Sequence, residues 1–235
     1  MNLDPSELKD FFKRKRIDTL HHANTVATAS NFLRSAKLMS RGRVEQLGLP
    51  QTPQTSDAID KQYGVWDSIF TDSVDIHQRA KKRNVYGPVL LHLSLDILDR
   101  PEIESVGITK KNPTKWVEGE DVSERWFADQ AEVESDFMKG RFDQMIVFQC
   151  AHGELDISDC LDLVMLDEPD LIVRGQIDLY SLGLGALGMA RIVGGTTGVP
   201  IQKRKCHAKC TCGGSYRNTR IRDNVMKLFD PREAG

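Results

Sequence analysis

Gln130-Ala131-Glu132-Val133-Glu134 sets a carboxamide two residues ahead of a carboxylate, where a loop is expected to enter a strand over Glu132–Glu134. On a strand, that spacing puts both side chains on one face. There Glu132 could hold a sugar hydroxyl or face a developing positive charge, while Gln130 hydrogen-bonds a second substrate. Upstream, Leu20-His21-His22-Ala23-Asn24-Thr25, Asp75-Ile76-His77-Gln78-Arg79 and Tyr86-Gly87-Pro88 contribute His22, Asn24, Arg79 and Tyr86. Loops separate these pieces, as in a site assembled from several elements.

Other signatures exclude chemistry. The chain has no G-x-S-x-G, no H-E-x-x-H and no G-x-x-x-x-G-K-[ST], so hydrolase and nucleotide-triphosphatase readings have no local support. Gly183-Leu184-Gly185-Ala186-Leu187-Gly188 fits G-x-G-x-x-G. The acid expected about 20 residues later is missing, and Ala208 stands there in a basic tract. A flexible or tightly packed glycine segment is expected instead. Cys206-His207-Ala208-Lys209-Cys210-Thr211-Cys212 offers Cys206, Cys210 and Cys212 as zinc ligands. The C-x3-C-x-C spacing is not that of a standard finger, and a fourth ligand would have to be His207, Cys150, His152 or Cys160. Free thiols in a basic loop are the expected reading, with zinc as the alternative.

Charge informs by position. The net charge is −2, yet residues 203–222 carry Lys203, Arg204, Lys205, Lys209, Arg217, Arg220 and Arg222 with no acid, which leaves −9 for the remainder. Further basic clusters, Lys13–Arg16 and Arg79–Arg83, close two expected helices. Such patches on an acidic protein suit a polyanion on one face. The simpler account is cations at helix C-termini.

The elements that must position these residues follow from local pattern. Asp4 caps a first helix with Pro5 at its first position and Leu8, Phe11 and Phe12 as its apolar face. A strand is expected at 20–25, then helices near 25–38 and 73–82. Strands are expected at 88–95, 144–150 and 161–166, and Asp121 should cap a short helix through Ala128. Residues 46–60 and 109–121 read as loops. With 235 residues and 40% apolar content, the chain can bury a sizeable core. The expectation is a mixed α/β core over 1–180 and a glycine-rich, basic, cysteine-containing appendage over 181–235. No apolar run approaches the roughly 20 residues a membrane span needs, and no secretory signal is visible. Five cysteines without a framework fit a reducing compartment, so a cytoplasmic protein is expected.

The order of these pieces resembles the DarT family of ADP-ribosyltransferase toxins, which modify DNA bases using NAD. Leu20–Asn24 looks like the family's opening strand, Asp75–Arg79 like the segment supplying its catalytic arginine, Tyr86–Val89 like the strand after it, and Gln130–Val133 like its Q-A-E segment. The likeness spans about residues 17–170. It implies an ADP-ribosyltransferase-like α+β fold, with a mostly antiparallel split sheet flanked by helices. By the same resemblance, Glu132 and Arg79 are catalytic, His22, Asn24 and Tyr86 bind NAD, and Gln130 faces the acceptor. Lys203, Arg204 and Lys205 would then track a phosphate backbone. DNA is favoured over RNA as the acceptor, protein remains an alternative, and an antitoxin partner is implied. The competing expectation is a non-enzymatic nucleic-acid-binding module built on the cysteine-rich tail.

Overall fold

The computed structural model describes residues 3–79, 86–205, 216 and 222–233. The chain opens with α1 (Pro5–Arg14), where Asp4 Oδ1 accepts from the Ser6 and Glu7 N–H groups at 2.8 and 3.2 Å. Two otherwise orphaned helix-end donors are thereby satisfied. β1 (Thr19–Asn24) leads into α2 (Val26–Ser35), capped by Thr25, and β2 (Lys37–Met39) follows. Next come α3 (Arg41–Gln46), α4 (Asp57–Gln62), β3 (Ser68–Thr71), α5 (Ile76–Arg79), β4 (Val89–Ser94) and β5 (Ile103–Ile108). After α6 (Val122–Arg125) and α7 (Gln130–Asp136) the chain forms β6 (Ile146–Cys150), β7 (Glu154–Asp156), β8 (Leu161–Glu168), β9 (Ile172–Val173) and β10 (Ile177–Asp178). α8 (Leu179–Val193), β11 (Ile201–Lys205) and α9 (Arg222–Phe229) complete the described elements.

The fold is mixed α/β with mostly antiparallel strand pairing. One sheet has the order β1-β4-β8-β11, antiparallel except for the β8–β11 pair. A second, wholly antiparallel sheet has the order β3-β6-β5. The edges of β1 and β3 are joined by one isolated backbone bridge just past the end of β3, where His21 and Asp72 exchange hydrogen bonds of 2.9 and 2.8 Å. Beyond that bridge the two edges part, and a cleft opens between them.

Two readings change here. The segment expected as a strand over Glu132–Glu134 is the middle of α7, so Gln130 and Glu132, two apart on a helix, do not share a face. The glycine-rich segment is helix α8 rather than a flexible stretch. Close packing occurs at Gly183, where an added Cβ would meet Val26 and Leu166 side chains at 3.2 and 3.5 Å.

Residues beyond 180 are built into the same core. α8 packs on α2, β11 extends the first sheet, and Leu187, Ala190, Val225 and Phe229 belong to one buried cluster with Leu8, Leu20 and Phe148. The described part of 181–235 is therefore not an appendage. α8 is held there by burial of Leu179, Leu187 and Ala190, and the largely polar β11 by its hydrogen-bond ladder to β8.

Candidate functional site

The cleft between β1 and β3 spans about 880 Å³ of space, part of it open to solvent. Its walls include His22 and Asn24 from β1, Phe32 from α2, Phe70 from β3, Arg41 from α3, and Tyr86.

His22 is fixed by that geometry. Its Nδ1 lies 2.7 Å from the carbonyl oxygen of Phe70, which can only accept, so Nδ1 carries the proton. Nε2 is then an acceptor, and the Asn24 amide Nδ2 donates to it over 3.2 Å. Asn24 Oδ1 accepts from the Thr25 N–H at 2.9 Å, which sets the orientation of the amide. Burial holds the imidazole pKa below its ordinary value against the opposing pull of the Phe70 carbonyl, so the ring is neutral. Asn24 keeps one N–H for a ligand. Gly87 makes this arrangement tight: at φ +135°, its Cα lies so close to β1 that an added Cβ would stand 2.1 Å from the Asn24 carbonyl oxygen.

The structure thus brings His22, Asn24 and Tyr86 to one cleft. Arg79 is the last residue of α5, and its side chain lies outside what is described. Cys206, Cys210 and Cys212 lie outside the described residues.

Glu132 and Gln130 do not line the cleft. α7 is anchored through Val133 and through Phe137, whose ring packs 5.6 and 5.7 Å from those of Phe11 and Phe12. Glu132, at the third position of α7, accepts from the Ala128 N–H at 2.7 Å and forms an ion pair with Lys110. Lys110 and then the Ala128 N–H hold its carboxyl below the usual range, so it is ionised. Gln130 Nε2 reaches only Glu134 Oε1, at 3.5 Å, and Glu134 pairs with Arg14 at 2.7 Å.

The basic strand is also not what its composition suggests. Arg204 is turned inward: Nε donates to Asp167 Oδ1 at 2.6 Å and Nη1 to Asp75 Oδ2 at 2.5 Å. A guanidinium so engaged cannot track a phosphate backbone. Lys203 and Lys205 are exposed, but both pair with Glu168, at 2.6 and 3.2 Å. The parallel pairing of β11 with β8 brings these acids opposite the bases.

Among the described residues no cluster of histidine, cysteine and carboxylate side chains is placed to hold a metal. Cys150 and Cys160 are buried free thiols, and burial pushes Cys150 up to about 12. Protonated thiols of this kind are poor ligands and poor nucleophiles. No described helix is long and apolar enough to cross a membrane.

Several cleft residues escape sequence reasoning. Arg41, Gln54, Ser56, Asp60, Asp72 and Asn112 all line it, yet most fall in stretches that read as loop. Nothing local marks them, because they converge only when β3 takes its place beside β1. No protein-family model matches the chain, and no curated protein matches it.

Proposed function

We propose that this protein is an NAD-dependent ADP-ribosyltransferase that transfers ADP-ribose to a nucleic-acid base, with DNA favoured over RNA. The observation that carries the reading is the convergence of His22, Asn24 and Tyr86 on one cleft of about 880 Å³. A neutral, preoriented imidazole–amide pair beside aromatic walls suits a dinucleotide's sugar hydroxyls and rings. The split between two mostly antiparallel sheets is consistent with an ADP-ribosyltransferase-like fold.

In the proposed reaction the bond between nicotinamide and ribose C1′ breaks, and nicotinamide leaves with the electron pair. The sugar becomes oxocarbenium-like, as in glycoside hydrolysis. A ring or exocyclic nitrogen of the acceptor base forms the new bond to C1′, and its proton passes to a carboxylate or to water. Glu132 is the proposed carboxylate for the ribose and its developing charge. It pairs with Lys110 outside the lining of the cleft, so its part requires both exchanging that ammonium for the sugar and a nicotinamide ribose that reaches beyond the described walls. Arg79 is the proposed partner of the pyrophosphate or nicotinamide. Exposed Lys13, Lys15 and Arg16 at the end of α1 are available to a phosphate backbone, which predicts salt-dependent affinity. The cytoplasmic location, the toxin or anti-phage role and a cognate antitoxin are part of the same proposal.

The test is mass spectrometry of single-stranded oligonucleotide incubated with the protein and NAD. A mass gain of one ADP-ribose is expected, lost in Glu132→Gln, which keeps an oxygen able to accept from the Ala128 N–H. Undiminished transfer by that variant would remove Glu132 from the mechanism. No transfer to DNA or RNA would remove the reading.

A further inference from the structure

Arg41 stands between the cleft and a second cavity of about 640 Å³, whose lining includes Trp66, Lys61, Glu45, Asp57 and Gln51. Trp66 is held firmly on its edge. Its Nε1 donates to Glu45 Oε2 at 2.9 Å, and its carbonyl accepts from the Gly42 N–H at 3.1 Å. Gly42 permits the approach, since an added Cβ would lie 2.9 Å from Trp66 Cδ1 and 1.9 Å from Asp67 Oδ1. The indole is half-buried, with the Lys61 ammonium 4.4 Å and the Arg41 guanidinium 5.3 Å from its ring centre. Trp116 and Trp126, by contrast, are packed in a buried cluster.

Three polar atoms in this lining are shielded from solvent and have no hydrogen-bond partner: Gln51 Oε1, Asp57 Oδ1 and Arg41 Nε. Their neighbours set their orientation. Gln51 Nε2 donates to the Arg41 carbonyl at 3.2 Å, which leaves Oε1 free. Asp57 Oδ2 takes Arg41 Nη2 at 2.8 Å and the Gln54 N–H at 3.0 Å, which leaves Oδ1 free. Unmet buried polar groups are costly, so the three together favour a ligand offering N–H donors and an acceptor.

We infer that this cavity receives a nucleobase of single-stranded DNA. The base stacks on Trp66 and displaces the half-exposed Lys61 ammonium from the ring, while its N–H edge faces Gln51 Oε1 and Asp57 Oδ1. A carbonyl or ring nitrogen meets Arg41 Nε, and Lys61 turns to the adjoining phosphate. The assignment rests on the transferase reading for its purpose, as an acceptor pocket reached through the wall the cleft shares, but base binding itself needs no NAD.

The experiment is fluorescence anisotropy of a labelled short oligodeoxynucleotide without NAD, set against an abasic strand of equal length and charge. The base-bearing strand is expected to bind about tenfold or more tighter. Trp66→Ala is expected to erase that difference while leaving abasic binding unchanged. Trp66→Phe, which keeps an aromatic plate, should retain part of it if the alanine variant fails to fold. Equal affinity for the two strands, or a preference untouched by both substitutions, overturns the pocket. Base-dependent binding with no ADP-ribose transfer would keep the pocket and discard the transferase. Transfer that persists with no Trp66-dependent binding would do the reverse.

Discussion

Arg204 lies directly opposite Asp167 across the parallel β8–β11 pair and donates to it through Nε over 2.6 Å, with the Asp167 side chain fully buried. Asp167 also accepts from the Tyr216 hydroxyl at 2.8 Å and has His77 Nε2 at 3.2 Å. Burial alone would raise the Asp167 pKa, but His77 and Arg204 outweigh it and hold the carboxyl below its ordinary value. Through Asp75, the same guanidinium ties the last strand to the segment that begins α5.

Removing one member of this group leaves a buried charge unmatched. Arg204→Met is expected to cost about 3–5 kcal/mol, read as a fall in the urea midpoint. Adding Asp167→Asn should recover part of the loss, because no bare carboxylate is then left in the core. A loss under about 1 kcal/mol would place the arginine among surface ion pairs and contradict the burial described.

Gly87→Ala tests the closeness of the Tyr86 turn to β1. The new methyl would need to occupy space 2.1 Å from the Asn24 carbonyl oxygen, at a φ of +135°. Destabilisation of more than about 1 kcal/mol is expected. NAD-induced stabilisation in a thermal melt should also disappear, because Asn24 must shift. A variant that melts as the wild type does and still responds to NAD would separate this turn from the cleft.

Two cleft residues give opposing pH dependences. Burial pushes the Asp60 carboxyl up to about 6 from 3.8, with Asp57 adding to the rise and Ser56 and Arg41 opposing it. Between those values the folded protein keeps a proton that the unfolded chain has lost. Stability therefore falls as pH rises through that window. Asp60→Asn should stabilise the protein by about 1 kcal/mol at neutral pH, discounted for an open cleft, and do little below the ordinary carboxylate range.

Burial and then repulsion from His92 pull His21 down to about 4 from 6.5. That contribution is fully present above 6.5 and is lost as pH falls towards 4. His21→Gln should flatten the acid limb of a denaturation midpoint measured against pH. An unchanged acid limb would mean that His21 titrates alike in the folded and unfolded chains.

Local chemistry was legible from the sequence. Asp4, Pro5 and Glu7 define the start of α1, because a cap satisfies donors only two and three residues away. Asp121 starts α6 in the same way. The misreading at Glu132 had a local remedy. Asp129 accepts from the Glu132 N–H at 2.9 Å, and an acidic cap followed three residues later by Glu is a helix-start signature.

The sequence by itself determined the caps, the apolar faces and the histidine–asparagine pair on β1, since each depends on neighbours a few residues apart. Only the tertiary structure decided that Arg204 is buried rather than free, that residues beyond 180 close the core, and that Arg41, Asp60 and Trp66 stand around the cavities. The physical reason is that charge pairing and burial depend on distance in space. Residues 37 and 129 positions away from Arg204 neutralise it, and no window along the chain contains them.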